Sequence, residues 1–337
     1  MKRIFKTAII FLVPIFASFV AFVAMKFAFI EPINPYDSEE VLFEVAPGMT
    51  LKEISKRLER ESFIRFWWSV CILAKIKKVD KQIRAGEYQL RRSFGPPEIL
   101  ALIISGRLYE RKITFKEGAS IRDLPQLVQD VGLLPGAEME AALNNLDMVR
   151  EAGLPESAKS FEGYLYPETY SFSRPTTAKQ VIWTMLKEGE RYWSQEFTKQ
   201  AALLKMTRYE IMTLASIIEK ESGVKLEEQP YISAVFHNRL KQGMKLQADP
   251  TVIYGIVDFD GNLTRADLER DTPYNTYTRF GLPPGPICNP SLSAIKAALY
   301  PAKTSALYFV ADGSGGHVFS STLDEHNAAV SKYILRR

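Results

Sequence analysis

The sequence predicts an α+β protein with one transmembrane helix at its N-terminus. Residues 7–25 form an uncharged run that is long enough to cross a bilayer. Behind it, short β-branched segments such as residues 41–45 alternate with amphipathic helical patterns. The 337 residues are 46% hydrophobic and 24% charged, with a formal charge of +4. This composition allows two domains and does not indicate a nucleic-acid-binding protein.

The charges that flank the apolar run predict its orientation. Lys2, Arg3 and Lys6 precede it, and acidic residues follow from Glu31 onward. A helix over residues 7–25 spans roughly 28 Å, and its basic side is expected in the cytoplasm. A cleaved signal peptide is the alternative, but its apolar core is usually shorter and is followed by an A-x-A-like site. We therefore assign residues 1–30 to a cytoplasmic tip and an uncleaved anchor.

Residues 31–155 are expected to begin with a β-α-α-β unit. Strands are predicted at residues 41–45 and 86–90, with helices from residue 51 and over residues 66–76 between them. A third helix is predicted from residue 96 to about 106. Trp67 and Trp68 are adjacent on the second helix, so they cannot face the same way, and we expect at least one of them in the core.

A ten-residue pattern in this unit recurs seventy positions later. Gly48 and Gly118 are each followed after two residues by a hydroxyl side chain and after five residues by an acid. Each copy predicts a strand, a tight turn, an N-cap and a helix. The unit resembles the start of a LysM-like module, a small βααβ glycan-binding fold, although such a pattern is also common in α/β proteins generally. The second, partial repeat begins at about residue 111, and a mixed helix/sheet domain is assigned to residues 156–337.

Two glutamates end a predicted helix in this last domain. Thr207 and Glu210 form a capping box, and apolar residues from Ile211 onward recur on one face. Glu219 and Glu221 fall roughly 80° to either side of that face, so they cannot enter one pocket as a close pair unless the helix ends between them. A carboxyl group at the edge of an apolar surface holds its proton more readily. Both acids could equally be solvated side chains beside a buried stripe.

Polar and aromatic loops accompany these acids. Uncharged hydrogen-bonding groups and flat rings are the surfaces that bind sugars. The candidates are Gln247, Asp249, Tyr274, Asn275, Tyr277, Glu162 and Tyr166. Asp249-Pro250-Thr251 could instead be an N-capped helix start.

The sequence gives no indication of a metal or cofactor. Cys71 and Cys288 are too few for a cysteine metal site or a disulfide framework, and we expect both in apolar cores. The spacing of His237, His317 and His326 does not match a helical metal-binding pair. We expect neither a metal nor a cofactor.

Several ordered segments resemble the MltG (YceG-like) family of endolytic murein transglycosylases. They lie at residues 162–170, 215–221, 246–251, 274–277, 281–285 and 308–313, and the resemblance is strong over residues 160–335. It implies a single-pass protein of the bacterial inner (cytoplasmic) membrane whose catalytic domain lies outside the cytoplasm. It further implies cleavage of the MurNAc-β-1,4-GlcNAc bond in nascent peptidoglycan, 1,6-anhydro-MurNAc products, a role in ending strand elongation, and peptidoglycan synthases as partners.

The resemblance also implies roles for the candidate residues. Glu219 would be the catalytic acid/base, and Glu221 and the seven candidates above would support it or bind substrate. Two alternatives remain. One is a membrane-anchored, non-catalytic glycan-binding scaffold. The other is a hydrolase, which needs a second carboxylate about 5–9 Å from Glu219, supplied by Glu162, Glu168 or Asp249.

Overall fold

The computed structural model describes residues 2–223 and 225–335. The chain forms two compact units. The first runs to Arg111 and includes Phe172–Pro175, and the second comprises Lys112–Ser171 and the chain from Thr176 onward. The domain boundaries expected at residues 30 and 155 stay a prediction.

The first unit begins with one long apolar helix, α1 (Lys2–Phe29). Its window Leu12–Phe29 has a mean hydropathy of 2.1, and almost none of it is buried by the rest of the protein. The prediction of one N-terminal apolar helix is therefore confirmed. Its length and composition suit a membrane span.

The remainder of the first unit has the predicted β-α-α-β order. The elements are β1 (Val41–Val45), α2 (Leu51–Arg60), α3 (Trp67–Ile76), β2 (Gly86–Leu90) and α4 (Pro96–Ser105). β1 and β2 pair antiparallel, with Phe43 opposite Tyr88. The side chains of both residues are buried together with Leu58 and Ile99.

The tryptophan prediction is wrong, because neither ring is fully buried. The inward side of α3 is formed by small residues, including Val70 and Ala74. Trp67 instead lies beside α2, with the Nζ of Lys52 5.6 Å from its ring centroid. Trp68 stacks on Phe66.

The second unit is mainly helical. After β3 (Arg111–Phe115) and a 3-10 turn (Ile121–Asp123), its helices are α5 (Leu124–Asp130), α6 (Gly136–Leu143), α7 (Leu146–Glu151), α8 (Ala178–Tyr192), α9 (Gln195–Leu203), α10 (Arg208–Glu221), α11 (Gln229–Lys241), α12 (Asp249–Gly255), α13 (Arg265–Glu269), α14 (Leu292–Leu299) and α15 (Leu323–Tyr333). A second 3-10 turn spans Leu226–Glu228. The strands are β4 (Glu168–Phe172), which pairs with β3, and β5 (Tyr308–Ala311) and β6 (His317–Ser320), which pair antiparallel.

The core of the second unit surrounds α10, α11 and α14. Cys288 is buried in this unit, as expected, whereas Cys71 in the first unit is only half-buried and its thiol donates to the Ser55 hydroxyl. The sulfur atoms thus belong to separate units.

Both copies of the repeated pattern form the predicted structure. Gly48 and Gly118 have φ angles of +82° and +71°, which favour glycine. Thr50 caps α2, and Ser120 caps the 3-10 turn that leads into α5, each within a capping box. The second copy differs only in that its helix begins with that 3-10 turn.

Candidate active site

The helix that presents the two glutamates is buried on all sides. Thr207 caps α10, accepting a hydrogen bond from the Glu210 amide at 3.2 Å. Every residue from Ile211 to Ile218 is buried. The prediction of a single buried stripe is therefore wrong, and α10 is a central helix. Glu219 and Glu221 come at its last turn, where it meets the surface.

Glu219 is half-buried, and the N-terminus of α14 holds one of its oxygens. Ser291 donates to Glu219 Oε2 twice, from its amide at 3.1 Å and from its hydroxyl at 2.5 Å. Ser291 is also the N-cap of α14, where its hydroxyl oxygen accepts from the Ala294 amide. In the described part of the chain no group hydrogen-bonds to Oε1. The carboxyl is thus fixed through one oxygen and available through the other.

The turn of the second pattern copy lies beside Glu219. A Cβ placed on Gly118 would lie 3.5 Å from Glu219 Cγ, and the Gly118 amide donates to the Asn289 carbonyl at 2.9 Å. Burial raises the pKa of Glu117, and the charge of Glu219 raises it further. Neither Glu117 nor Ser291 is among the functional residues predicted from the sequence. In the sequence, Glu117 is an acid next to a turn glycine and Ser291 is a serine before a helix. Both patterns are common, and only long-range contacts show that these two residues lie beside Glu219.

Glu162 lies beneath this turn rather than on the surface. Its side chain is 2% exposed and accepts hydrogen bonds from the Ser120 hydroxyl, the Ile121 amide, the Tyr254 hydroxyl and the Asn289 side-chain amide, at 2.7–3.1 Å. Burial raises its pKa to about 7, although the hydrogen bond from Ser120 opposes that shift. Glu162 therefore ties together the turn at Gly118 and the segment before Ser291, and it is closed to a polymeric substrate.

Glu221 faces different neighbours from Glu219. Burial raises its pKa to about 8, and the negative charge of Asp249 adds to the shift, while Arg239 opposes it. Asp249 accepts a hydrogen bond of 2.5 Å from the Tyr277 hydroxyl. Glu221, Asp249, Arg239 and Tyr277 thus form a second polar cluster, in which Glu221 keeps its proton at neutral pH.

Asp249 begins a helix but does not cap it. Ala248 occupies the N-cap position of α12, and no side chain caps that end. The helix therefore begins one residue earlier than an N-cap at Asp249 would place it, the prediction that Asp249 caps it is wrong, and the Asp249 carboxylate accepts from Tyr277 instead. Next to it, Gln247 is exposed and has a φ of +51°, a strained conformation for a residue with a side chain.

The other candidates divide into buried and partly exposed groups. Asn275 is fully buried, and its amide donates to the carbonyls of Asp267, Leu268 and Arg270. It therefore shapes its loop and cannot touch a sugar. Tyr274 packs against Tyr254 with ring centroids 4.9 Å apart. Tyr166 stacks on Tyr192 at 4.1 Å. The rings of these tyrosines are partly exposed.

Among the described residues, no group of three or more His, Cys, Asp or Glu side chains is placed so that it could hold a metal ion. His317 pairs with Glu228 at 2.7 Å. His237 contacts the Ala298 carbonyl.

These features define an α+β protein whose site centres on carboxyl groups positioned by helix ends, the kind of site that performs general acid–base chemistry. A model of the YceG-like family matches residues 43–332. The chain belongs to the YceG-like family.

Named relatives and a solved structure agree with this assignment. A Bacillus subtilis (strain 168) protein named endolytic murein transglycosylase is 32% identical over 319 residues, covering 90% of this chain and 88% of the relative. A Streptococcus pneumoniae (strain D39) protein of the same name is 30% identical, and this chain spans 60% of its length. A crystal structure of a YceG-like protein from Listeria monocytogenes has 32% identity and a TM-score of 0.60, covering 86% of this chain and 99% of that one.

Proposed function

We propose that this chain is a membrane-anchored lytic transglycosylase that cleaves glycan strands of peptidoglycan internally. Its target is the MurNAc-β-1,4-GlcNAc bond of nascent strands, and its products carry 1,6-anhydro-MurNAc ends, so that cleavage ends strand elongation. Family membership and the relatives named endolytic murein transglycosylase support this proposal. The observation that carries it is the position of Glu219, which Ser291 holds through one carboxyl oxygen while leaving the other without a hydrogen bond from the described residues.

Glu219 would act first as an acid and then as a base. Its protonated carboxyl gives a proton to the glycosidic oxygen as the bond to C1 breaks. The resulting carboxylate then takes the proton of the muramic 6-hydroxyl as that oxygen bonds to C1. The leaving sugar gains one proton, the ring closes with loss of another, and no water is consumed. One carboxyl is sufficient because the substrate supplies the nucleophile.

The surrounding residues would position Glu219 or hold the sugar. Glu162 and Asn275 are buried, so we assign them to shaping the loops. Gln247, Tyr274, Tyr277 and Tyr166 are partly or fully exposed and are assigned to the glycan. Glu221 and Asp249 form a supporting pair of acids. Because Glu221 keeps its proton, the two side chains do not carry two negative charges side by side.

The remainder of the chain would hold the catalytic domain at the membrane, next to the cell wall. Residues 1–30 form a cytoplasmic tip and anchor in the bacterial inner membrane, and the following residues lie outside the cytoplasm. Residues 31–155 form a LysM-like module, which the β-α-α-β order of residues 41–90 supports, and residues 156–337 form the catalytic domain. Peptidoglycan synthases are partners by family analogy.

A two-carboxylate hydrolase is the second candidate function, and one observation favours it. Glu117 lies close enough to Glu219 for the charge of Glu219 to raise the pKa of Glu117. Of the acids considered from the sequence, Glu162 is buried, Asp249 is engaged by Tyr277, and Glu168 is exposed at the start of β4. A hydrolase would add water to the cleaved bond.

Mass spectrometry of the products from purified, uncrosslinked glycan strands tests the proposal. The full chain should release fragments one water lighter than hydrolytic products, and Glu219→Gln should release none. Glu227→Gln, which changes an exposed acid nearby, should cleave normally. Water-added products that disappear in Glu117→Gln would establish the hydrolase, and strand binding without cleavage would establish a non-catalytic scaffold.

A further inference from the structure

The first unit exposes an apolar stripe along one side of α3. Trp68, Ile72 and Ile76 are spaced by four residues, so their side chains follow one another on the same face. Ile72 is 40% exposed and Ile76 is 72% exposed. The inward side of the helix packs into the core through Val70 and Ala74. Large apolar side chains grouped in this way on a surface mark a site of interaction.

The stripe begins where α1 ends. The Trp68 ring meets the ring of Phe29, the last residue of α1, edge-on with centroids 5.3 Å apart. Beside them, the Arg65 guanidinium lies 4.1 Å from the Phe27 ring centroid, and it donates to the Glu31 carbonyl. A tryptophan and an arginine against the last turn of a membrane-crossing helix stand at the level of the lipid headgroups.

The far end of α3 is strongly basic. Lys75, Lys77, Lys78 and Lys81 are exposed, and Asp80 is the one acid among them. None of the ion pairs between described residues involves these four lysines. Basic residues beside an anionic leaflet are attracted to phosphate groups, and an apolar stripe with a basic flank is typical of helices that lie in the membrane interface.

We propose that α3 is a membrane-surface helix, with Trp68, Ile72 and Ile76 inserted among lipid headgroups and the lysines bound to anionic phospholipids. The inference rests on the proposed anchoring of α1. The stripe adjoins the end of α1, so if α1 crosses the membrane, lipid is what covers the stripe. It fixes the first unit against the membrane instead of leaving it tethered by the linker after α1 alone.

Nitroxide labels on the full chain in vesicles of phosphatidylcholine and phosphatidylglycerol test this inference. The label is placed at Ile76→Cys in a Cys71→Ser background, since Cys288 is buried. Phe19→Cys in α1 is the hydrocarbon reference, and Leu203→Cys, at a site of 78% exposure, is the matched exposed apolar site. The Ile76 label should collide more with oxygen and less with a water-soluble nickel chelate than the Leu203 label does.

Each other outcome overturns a different claim. A label at Ile76 that behaves like the one at Leu203, while Phe19 lies in hydrocarbon, removes the membrane-surface helix and leaves the anchor intact. Protection of Ile76 from both reagents means that protein covers the stripe. A Phe19 label outside hydrocarbon removes the anchor and this inference together. Glycan cleavage by the same samples reports on the proposed activity separately.

Lysine variants test the lipid charge. Changing Lys75, Lys77 and Lys78 together to Gln should reduce the membrane-inserted population of the Ile76 label by about fivefold per lysine on anionic vesicles and hardly at all on phosphatidylcholine alone. The matched control changes Lys187, Lys199 and Lys241, which are exposed in the second unit. Equal effects of both triple variants, or none from either, would contradict lysine binding to anionic headgroups.

Discussion

The two copies of the strand–turn–helix pattern have the same local structure but different surroundings. In the first copy, the Thr50 hydroxyl donates to Glu53 within its own turn, and nothing lies within 4 Å of a Cβ placed on Gly48. In the second copy, the Ser120 hydroxyl donates to the distant, buried Glu162, and Gly118 lies against Glu219. Local sequence therefore specifies the turn, and long-range contacts decide whether that turn serves the site.

The largest expected difference between the copies concerns Glu162. Glu162→Ala leaves the Ile121 amide without its acceptor and leaves the Asn289 side-chain amide with the Ala119 carbonyl alone, so it should lower the free energy of unfolding by about 3 kcal/mol. Thr50→Ala removes only a local cap and should cost about 1 kcal/mol. Urea denaturation of both variants measures this difference. Equal losses would mean that the second copy is held as locally as the first.

Ser291 should matter more for activity than for stability. Ser291→Ala removes the hydroxyl that fixes Glu219 Oε2, so turnover should fall by about 10- to 100-fold, since misplacing a reacting group is costly. The variant also loses an N-cap, worth about 1 kcal/mol. Ser194→Ala removes the N-cap of α9 and is the matched control. If the two variants lose activity equally, Ser291 serves only as a cap.

The two turn glycines offer a smaller, paired test. Gly118→Ala and Gly48→Ala both place a side chain at positive φ, which costs about 1–2 kcal/mol. Only at Gly118 does this strain act beside Glu219, whose Cγ would lie in ordinary contact with the new Cβ at 3.5 Å. A shift of the strained turn should therefore lower turnover by about fivefold in that variant alone. Initial rates on glycan strands, measured at a temperature where both variants are folded, decide the matter. A loss of rate in Gly48→Ala would contradict the claim that only the second turn lies beside the site.

The smallest expected effect is a difference in pH dependence. Hydrogen bonds from Thr50 lower the pKa of Glu53, so the stability that Glu53 contributes is present above its unfolded pKa of 4.5 and is lost only at lower pH. Glu162 and Glu221 have raised pKa values of about 7 and about 8. Both keep a proton that the unfolded chain releases, so stability falls as pH rises from 4.5 to 8.

Urea denaturation at pH 5 and pH 8 measures this effect. Glu221→Gln should reduce the fall in stability by on the order of 1 kcal/mol, because solvent partly screens this half-buried side chain. Glu227→Gln, at an exposed site, should leave the fall unchanged. An identical pH dependence in Glu221→Gln and the unmodified chain would contradict the raised pKa of Glu221.

The elements that were predicted well are those specified by local signals. Strands 41–45 and 86–90 match their predicted bounds. The capping box at Thr207 placed the start of α10 correctly. The burial of α10 on all sides was missed because Thr213 and Ser216 look polar in the sequence. Their hydroxyls donate to carbonyls of their own helix, at Tyr209 and Thr213.

The candidate site was less predictable because its contacts join distant parts of the chain. A helix pattern ending in acids was enough to nominate Glu219. Ser291 is 72 residues away in sequence, and the Gly118 carbonyl that accepts from Lys220 is 102 residues away, so no local pattern could join them. Asn275 was nominated by the composition of its loop, yet its polar groups are used within that loop.

The most direct test of the account compares Glu219→Gln with Glu221→Gln in single-turnover cleavage of glycan strands. The two acids end the same helix, and burial raises the pKa of Glu221, but the account assigns proton transfer to Glu219. It predicts that Glu219→Gln lowers the rate by about a thousandfold, within the range expected for loss of a general acid–base group, and that Glu221→Gln lowers it by less than about tenfold. Loss of cleavage in Glu221→Gln with activity retained in Glu219→Gln would contradict it.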